Sequence, residues 1–445
     1  MRSLYNLLFG IFFLLSAPFY FLKMWRRGNW SRGFSQRFGR YSARVKQAIT
    51  NRHVIWFHAV SVGEVNICTH LIRALEPRVP NLKIVVSTTT STGMGELHKK
   101  LPTHIEKIYY PVDRKKFVER AIVTLHPEAI VLVEAEIWPN FLWRAVEESV
   151  PLFLVNARLS EKSFRGYKRF GFLFRPIFKS FTGVGCQNQG DADKLRTLGF
   201  RAEAIRVVGN LKFDAAKLDE KRLVDIPALL RQIGVNEHAP VLVAGSTHAG
   251  EEALIADIFV RLREKYPQLF LVLVPRHFER GKDVGRELEQ RAVKFIYRSE
   301  VTKYTELPAD SVRCLLVNTT GELKYFYERA TAIFVGKSLT AQGGQNPIEP
   351  GALGKAMIFG PHMENFAAIA SAFAANGGAI QVQNKIELEK AFEDVLANAK
   401  LREELGRNAL RVVRENLGAI DRTVDMIVEH LNTDEIYVAP PRQPS

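Results

Sequence analysis

Residues 330–354 read ATAIFVGKSLTAQGGQNPIEPGALG. Ala332–Val335 is a short apolar run of the kind a buried parallel strand shows, and Gly336 ends it. Gly343 and Gly344 allow a turn that a side chain would obstruct. Asn346-Pro347-Ile348-Glu349 reads as a helix start, with Asn346 at N-cap, Pro347 at N1 and Glu349 at N3. Strand, glycine loop and helix N-terminus together present free backbone N–H groups to a phosphate. Glu349 suits ribose hydroxyls better, since these can donate to a carboxylate. The plainer reading is a tight turn with a capped helix. Gly336-Lys337-Ser338 is not a P-loop, because Thr331 stands where that motif needs its first glycine.

The same alternation extends in both directions. Val54–His58, Lys83–Ser87, Ile108–Tyr110, Ala129–Glu134 and Leu152–Asn156 are strand-like, with helical stretches such as Val65–Leu75 and Phe117–Leu125 between them. A second series follows residue 200: Ile205–Val208, Pro240–Ala244, Phe270–Pro275, Lys294–Tyr297, Cys314–Asn318 and Ala332–Val335. Alternating strands and helices imply parallel sheets covered on both faces, and two series imply two doubly wound α/β domains. In such sheets ligands sit at the carboxyl ends of the strands, and the cleft between the domains is the expected site. A charged linker is expected over Lys212–Asp225 and a frayed tail over Ala439–Ser445. The expected division is a membrane anchor over 1–26, an N-terminal Rossmann-like domain over 27–214, a C-terminal one over 215–410, and a final helix and tail over 411–445.

With 445 residues and 47% apolar content the chain can build two cores. Three scattered cysteines, Cys68, Cys186 and Cys314, argue against a disulfide framework. The net charge of +15 suits anionic partners. Leu4–Leu22 is apolar and just long enough to span a bilayer, although Asn6, Ser16 and Pro18 weaken it. Lys23, Arg26, Arg27 and Arg32 follow, with Trp25 and Trp30 suited to a headgroup zone, so the rest of the chain is placed in the cytoplasm. The alternative is a segment lying in the membrane interface.

Candidate chemistry sits at the strand ends. Glu64, after the first strand, is placed to be a general base for a hydroxyl nucleophile, or simply an N-terminal helix charge. Glu134 and Glu136 follow another strand and project to one side. Ser246-Thr247-His248 and Pro275-Arg276-His277 close two strands of the second series. Asn318-Thr319-Thr320-Gly321-Glu322 and Gly336-Lys337-Ser338 close two more, which together point to a nucleotide site. No His/Asp/Glu cluster has metal-ligand spacing. A block of basic and aromatic residues, Lys162 to Phe178, meets lipid headgroups on a membrane protein; no nucleic-acid recognition motif accompanies it.

The stretches WFHAVSVGE (56–64), STTTSTG (87–93), EAEIWPN (134–140), VNARLSEKSFRGY (155–167), GNLKFD (209–214), AGSTHAGEE (244–252), LVPRH (273–277), TGEL (320–323), FVGKSL (334–339) and GGQNPIEPGALGK (343–355) carry a resemblance. In that order, across nearly the whole chain, they resemble the 3-deoxy-D-manno-oct-2-ulosonic acid (Kdo) transferases of lipid A biosynthesis. These are membrane-anchored glycosyltransferases of the GT-B fold, two Rossmann-like domains facing a cleft. The resemblance implies CMP-Kdo as donor substrate, no further cofactor and no metal, and a lipid A precursor such as lipid IVA as acceptor. It implies work at the cytoplasmic face of the inner membrane, against an anionic surface and without nucleic acid. Glu64 matches the family's catalytic base. Contacts to CMP are implied for Pro275, Arg276, Thr320, Gly321, Glu322, Asn346, Pro347, Ile348 and Glu349, with Ser246, Thr247, Lys212 and Ser338 as further contacts. The chain departs from the family at Asn318 (usually Asp), Lys337 (Gly), Gln345 (His) and Ala135 (Thr). The rivals are a GT-B transferase with another sugar nucleotide and an inactive, membrane-bound nucleotide-binding protein.

Overall fold

The computed structural model describes residues 2–26, 31, 33–50, 52–134, 136–214 and 224–431. Most of the expected linker, the proline-bearing tail, Arg27, Trp30, Arg32 and Ala135 lie outside the described residues.

Two seven-stranded sheets organise the chain. The first contains β1 (His53–His58), β2 (Leu82–Thr88), β3 (Glu106–Tyr109), β4 (Pro127–Val133), β5 (Leu152–Ala157), β6 (Gly183–Cys186) and β7 (Ile205–Val207). Its order is β3-β2-β1-β4-β5-β6-β7, with every pair parallel. The second contains β8 (Val241–Thr247), β9 (Phe270–Pro275), β10 (Phe295–Tyr297), β11 (Cys314–Leu316), β12 (Ala332–Val335), β13 (Met357–Phe359) and β14 (Ile380–Gln381). Its order is β10-β11-β9-β8-β12-β13-β14, again all parallel. The central strands are buried along their length, as strands covered by helices on both faces must be.

In the first sheet the direction of winding reverses between β1 and β4, and in the second between β8 and β12. Diverging loops at such a switch point leave a crevice at the carboxyl ends of the two strands. Glu64 and Glu134 follow β1 and β4; His248 and Lys337 follow β8 and β12. Topology thus sets two crevices, one in each unit.

By internal contacts one unit comprises the chain up to Ala215 and again from Leu417, the other Ala216–Asn416. The boundary expected at residue 410 falls inside the helix Ala399–Asn416, which packs in the second unit. The chain then returns. Asp214 accepts the N–H groups of Gly418 and Ile420, both at 2.8 Å, and Arg422 donates to the Val208 carbonyl at 2.9 Å. The returning helix, Ala419–Val428, lies over β6, where a Cβ at Gly183 would stand 3.3 Å from Met426 and 2.9 Å from Phe153.

Candidate active site

The loop after β1 turns into the helix Val62–Leu75 at Ser61. Ser61 Oγ accepts the Glu64 N–H at 3.2 Å, while the Glu64 carboxylate accepts the N–H groups of Val60 at 2.8 Å and Ser61 at 3.3 Å. This capping box holds Glu64 in one rotamer, nearly closed off from solvent. Burial raises its pKa above the ordinary carboxylate value; the Val60 and Ser61 bonds oppose the rise, and Glu134 and Glu136 add to it. Each carboxylate oxygen has two lone pairs, so the cap leaves room for a further donor. The arrangement that supplies the N-terminal helix charge therefore also leaves the acceptor capacity that the expected base would need.

Glu134 follows β4 with a φ of 62°, a left-handed conformation that a side chain rarely adopts without support. Its N–H bonds the Val155 carbonyl at 2.9 Å, and the Asn156 amide approaches its carboxylate at 3.5 Å. Asn156, itself at φ 53°, accepts the Leu211 N–H at 3.2 Å. Gln187 donates to the Asn156 carbonyl at 3.3 Å and accepts from Asn210 at 3.0 Å. This amide network fixes the loop that carries Lys212. The sequence reading placed Lys212 among the donor-nucleotide contacts. In the structure it belongs to the first unit, where its charged neighbours are Glu134, Arg158 and Glu64. Burial lowers its pKa, Glu134 and Glu64 hold it up, and Arg158 opposes them. Sequence reasoning noted Asn156 at its strand end and quoted Asn210 within GNLKFD but gave neither a role, and did not single out Gln187; the positive φ at Asn156 has no signature beyond the residue type.

The second unit gathers basic groups at its switch point. Lys337, His277, Arg280 and Arg276 surround His248, and burial with these charges pushes its pKa down to about 4. The His248 and His277 rings meet edge to face at 5.6 Å, and Gln345 lies 3.4 Å from His248. Lys337 holds φ 57°, a left-handed conformation that glycine adopts most readily. A Cβ at Gly336 would stand 2.5 Å from the Ser246 carbonyl, so only glycine lets the β8 and β12 ends approach.

Pro275, Arg276, Thr320, Gly321 and Glu322 sit at the ends of β9 and in the loop after β11, and Ser246 at the end of β8. Glu322 pairs with Arg298 at 2.9 Å and with the Thr319 hydroxyl. Asn318 is tied to Ser299 by two hydrogen bonds, at 3.0 and 2.8 Å. The expected helix start needs correction. The helix is only Ile348–Ala352, it begins after Pro347, and Asn346 Oδ1 accepts the Ile348 N–H at 3.0 Å. Five residues sum few peptide dipoles, so the positive field here comes mainly from side chains. Asn346 also donates to Glu349 at 3.2 Å; burial raises the Glu349 pKa, against Asn346, Lys324 and Arg276. Two expected contacts have hydroxyls turned into the fold. Ser338 Oγ donates to the Val335 carbonyl at 2.6 Å and accepts from Gly360 at 2.9 Å, and Thr247 Oγ1 donates to Glu252 at 3.1 Å.

Among the described residues no three His, Cys, Asp or Glu side chains come together as metal ligands would. A surface depression lined by Lys46, Arg52, His53, His126 and Glu128 lies at the amino ends of β1 and β4, away from Glu64.

Two doubly wound units with crevices at their switch points define a protein of the GT-B class. The solved UDP-GlcNAc 2-epimerase of Neisseria meningitidis, bound to UDP-GlcNAc, shares this fold with a TM-score of 0.56 over 85% of this chain and 100% of its own, at 14% identity. The family model "3-Deoxy-D-manno-octulosonic-acid transferase (kdotransferase)" matches residues 32–215. The 3-deoxy-D-manno-octulosonic acid transferase of Haemophilus influenzae is 32% identical over 85% of this chain and 87% of its own. That of Bordetella pertussis is 31% identical over 93% and 97%. The chain belongs to the 3-deoxy-D-manno-octulosonic acid transferase family.

Proposed function

We propose that the protein transfers Kdo from CMP-Kdo to a phosphorylated lipid A precursor, lipid IVA, releasing CMP with inversion, without a metal, at the cytoplasmic face of the inner membrane. The observation that carries the reading is the held carboxylate of Glu64, buried, raised in pKa and beside Lys212. Glu64 takes the proton of an acceptor hydroxyl as its oxygen attacks the anomeric carbon of Kdo; the bond from that carbon to the phosphate oxygen breaks, and CMP leaves. Lys212 keeps a positive charge against Glu64 and Glu134, favouring the ionised base before attack. On the second unit Arg276 and Lys337 offer cations to the donor phosphate, while Asn346 and Glu349 offer polar groups to the ribose and base. The basic balance of the chain suits a donor, an acceptor and a surface that are all anionic.

The test is a transfer assay. Purified protein in detergent receives lipid IVA, with CMP-Kdo made in place by its synthetase, and the lipid is weighed by mass spectrometry. A gain of one or more Kdo units, abolished in Glu64→Gln, supports the reading. Folded, CMP-binding protein that leaves the lipid mass unchanged refutes it.

A further inference from the structure

The helix Arg2–Arg26 is long and apolar enough to cross a membrane. At about 1.5 Å per residue it would measure about 37 Å. In the structure it lies along the first unit instead. At its start Arg2 pairs with Glu147 and stacks over Trp143. Tyr5 donates to Asp113 at 2.6 Å and packs edge-on against Trp143 at 5.6 Å. Asn6 accepts from Asn140 at 2.8 Å, and Phe9 meets Trp138 at 6.4 Å. Near its end Phe21 packs on Phe34 at 6.3 Å, and Phe34 continues through Phe38 to Phe117.

The partly covered positions are 5, 6, 9, 10, 13, 16 and 17, a stripe at helical spacing turned toward the body of the unit. Asn6 and Ser16, which weaken the segment as a span, are on that stripe. The other face is apolar and bare: Leu7, Leu8, Ile11, Phe12, Leu14 and Leu15, the last 78% exposed. A span would need about 20 residues clear of the water-soluble body. A helix bonded to that body at residues 2, 5 and 6 and half-covered on one side as far as residue 17 does not supply them.

We infer that this helix lies in the plane of the membrane, its bare face in one leaflet and the start of the chain on the same side as the first unit. The surface it fits is an anionic bilayer. The helix Pro139–Glu147, which carries its anchoring contacts, also packs against Gly171–Phe178. Beside that second helix stand exposed Arg165, Lys168, Arg169 and Arg175, with Phe170 and Phe172 also exposed. Cations interleaved with bare aromatics suit anionic headgroups over acyl chains. The inference does not rest on the donor or acceptor proposed above.

The test places one epitope tag before Met1 and another after Ser445, with protease added to sealed membranes. Both tags should be lost from inside-out vesicles and both should survive in intact spheroplasts. Loss of the N-terminal tag in spheroplasts would mean that the helix spans, and overturns the inference. Recovery of the protein in the supernatant of salt-washed membranes overturns it too. The transfer assay in detergent is indifferent to either result, so the two proposals fail separately.

Discussion

The carboxylate of Glu251 accepts the backbone N–H of Ser338 at 2.9 Å, and with it those of Lys337 at 2.7 Å, Leu339 at 3.0 Å and His248 at 2.9 Å. Glu251 is fully buried in the first turn of the helix Glu251–Lys265, where the helix dipole favours a negative charge. One side chain thus gathers the ends of β8 and β12. Glu251→Ala leaves four N–H groups without their partner and should cost about 3 kcal/mol or more. Thermal melts with and without CMP check this: the melting temperature should fall and the stabilisation by CMP should shrink. An unchanged melting temperature would show that the loop holds itself.

Glu64→Gln keeps an oxygen for the Val60 N–H and should melt close to the parent protein. Its transfer rate should drop by roughly 10²- to 10⁴-fold, the usual worth of a general base. Glu64→Ala loses the cap as well, a further cost of about 1 kcal/mol in stability. As the proposed base, Glu64 would work only when ionised. Because its pKa is raised, the acid limb of the rate profile should lie above the ordinary carboxylate value, with rate rising as pH increases. A Glu64→Gln enzyme at full rate would remove the mechanism.

Lys337 combines two effects that substitution separates. Its left-handed backbone costs a non-glycine residue about 1 kcal/mol, so Lys337→Gly should hold or raise stability by about that much. Both Lys337→Gly and Lys337→Ala remove the charge beside His248 and should weaken CMP binding, most visibly at low salt. Calorimetric titration at two ionic strengths decides it. Affinities equal to the parent would take Lys337 out of the phosphate site.

His58 stacks on Tyr110 at 3.9 Å and is fully buried, and burial pushes its pKa down to about 3, opposed by the Ser87 carbonyl. A depressed pKa contributes stability that is complete above the unfolded value of 6.5 and is lost as pH falls toward 3, at up to about 1.4 kcal/mol per pH unit. Asp113 acts the other way: burial raises it to about 6, so its contribution is present below 3.8 and lost as pH rises through 6. The two partly offset, and the comparison with His58→Phe isolates the histidine. Melts from pH 7 to pH 4 should show the variant gaining on the parent as pH falls. A constant difference would mean that His58 is protonated in place.

Much of this protein was legible in its residues. The apolar runs from Val54 to Val335 alternate with amphipathic stretches, and that alone implies parallel sheets covered by helices. Three strands escaped for a local reason. Gly183–Cys186 has no apolar run because a returning helix needs glycine beneath it, while Met357–Phe359 and Ile380–Gln381 are too short to show a period. The family could be read from ordered motifs, since they are local strings at the ends of strands. Glu64 was legible as a candidate because residue type and strand end coincide.

What the chain could not declare is what distant residues do to one another. Ser338 and Thr247 carry the right chemistry in the right motifs, yet their hydroxyls donate to the Val335 carbonyl and to Glu252. Lys212 follows β7, which the sequence reading set in the second series and the structure pairs with β6 in the first sheet, and only folding places its charge near Glu134 and Glu64. The helix Arg2–Arg26 reads as a span from composition, and contacts with Asp113 and Asn140 lay it along the domain. Hydrophobic period and turn chemistry are short-range, so the sequence determined the elements, their parallel pairing and the strand ends where chemistry gathers. Burial and charge pairing join residues tens to hundreds of positions apart, so only the tertiary structure decided which side chains face a ligand and which are used up in holding the fold.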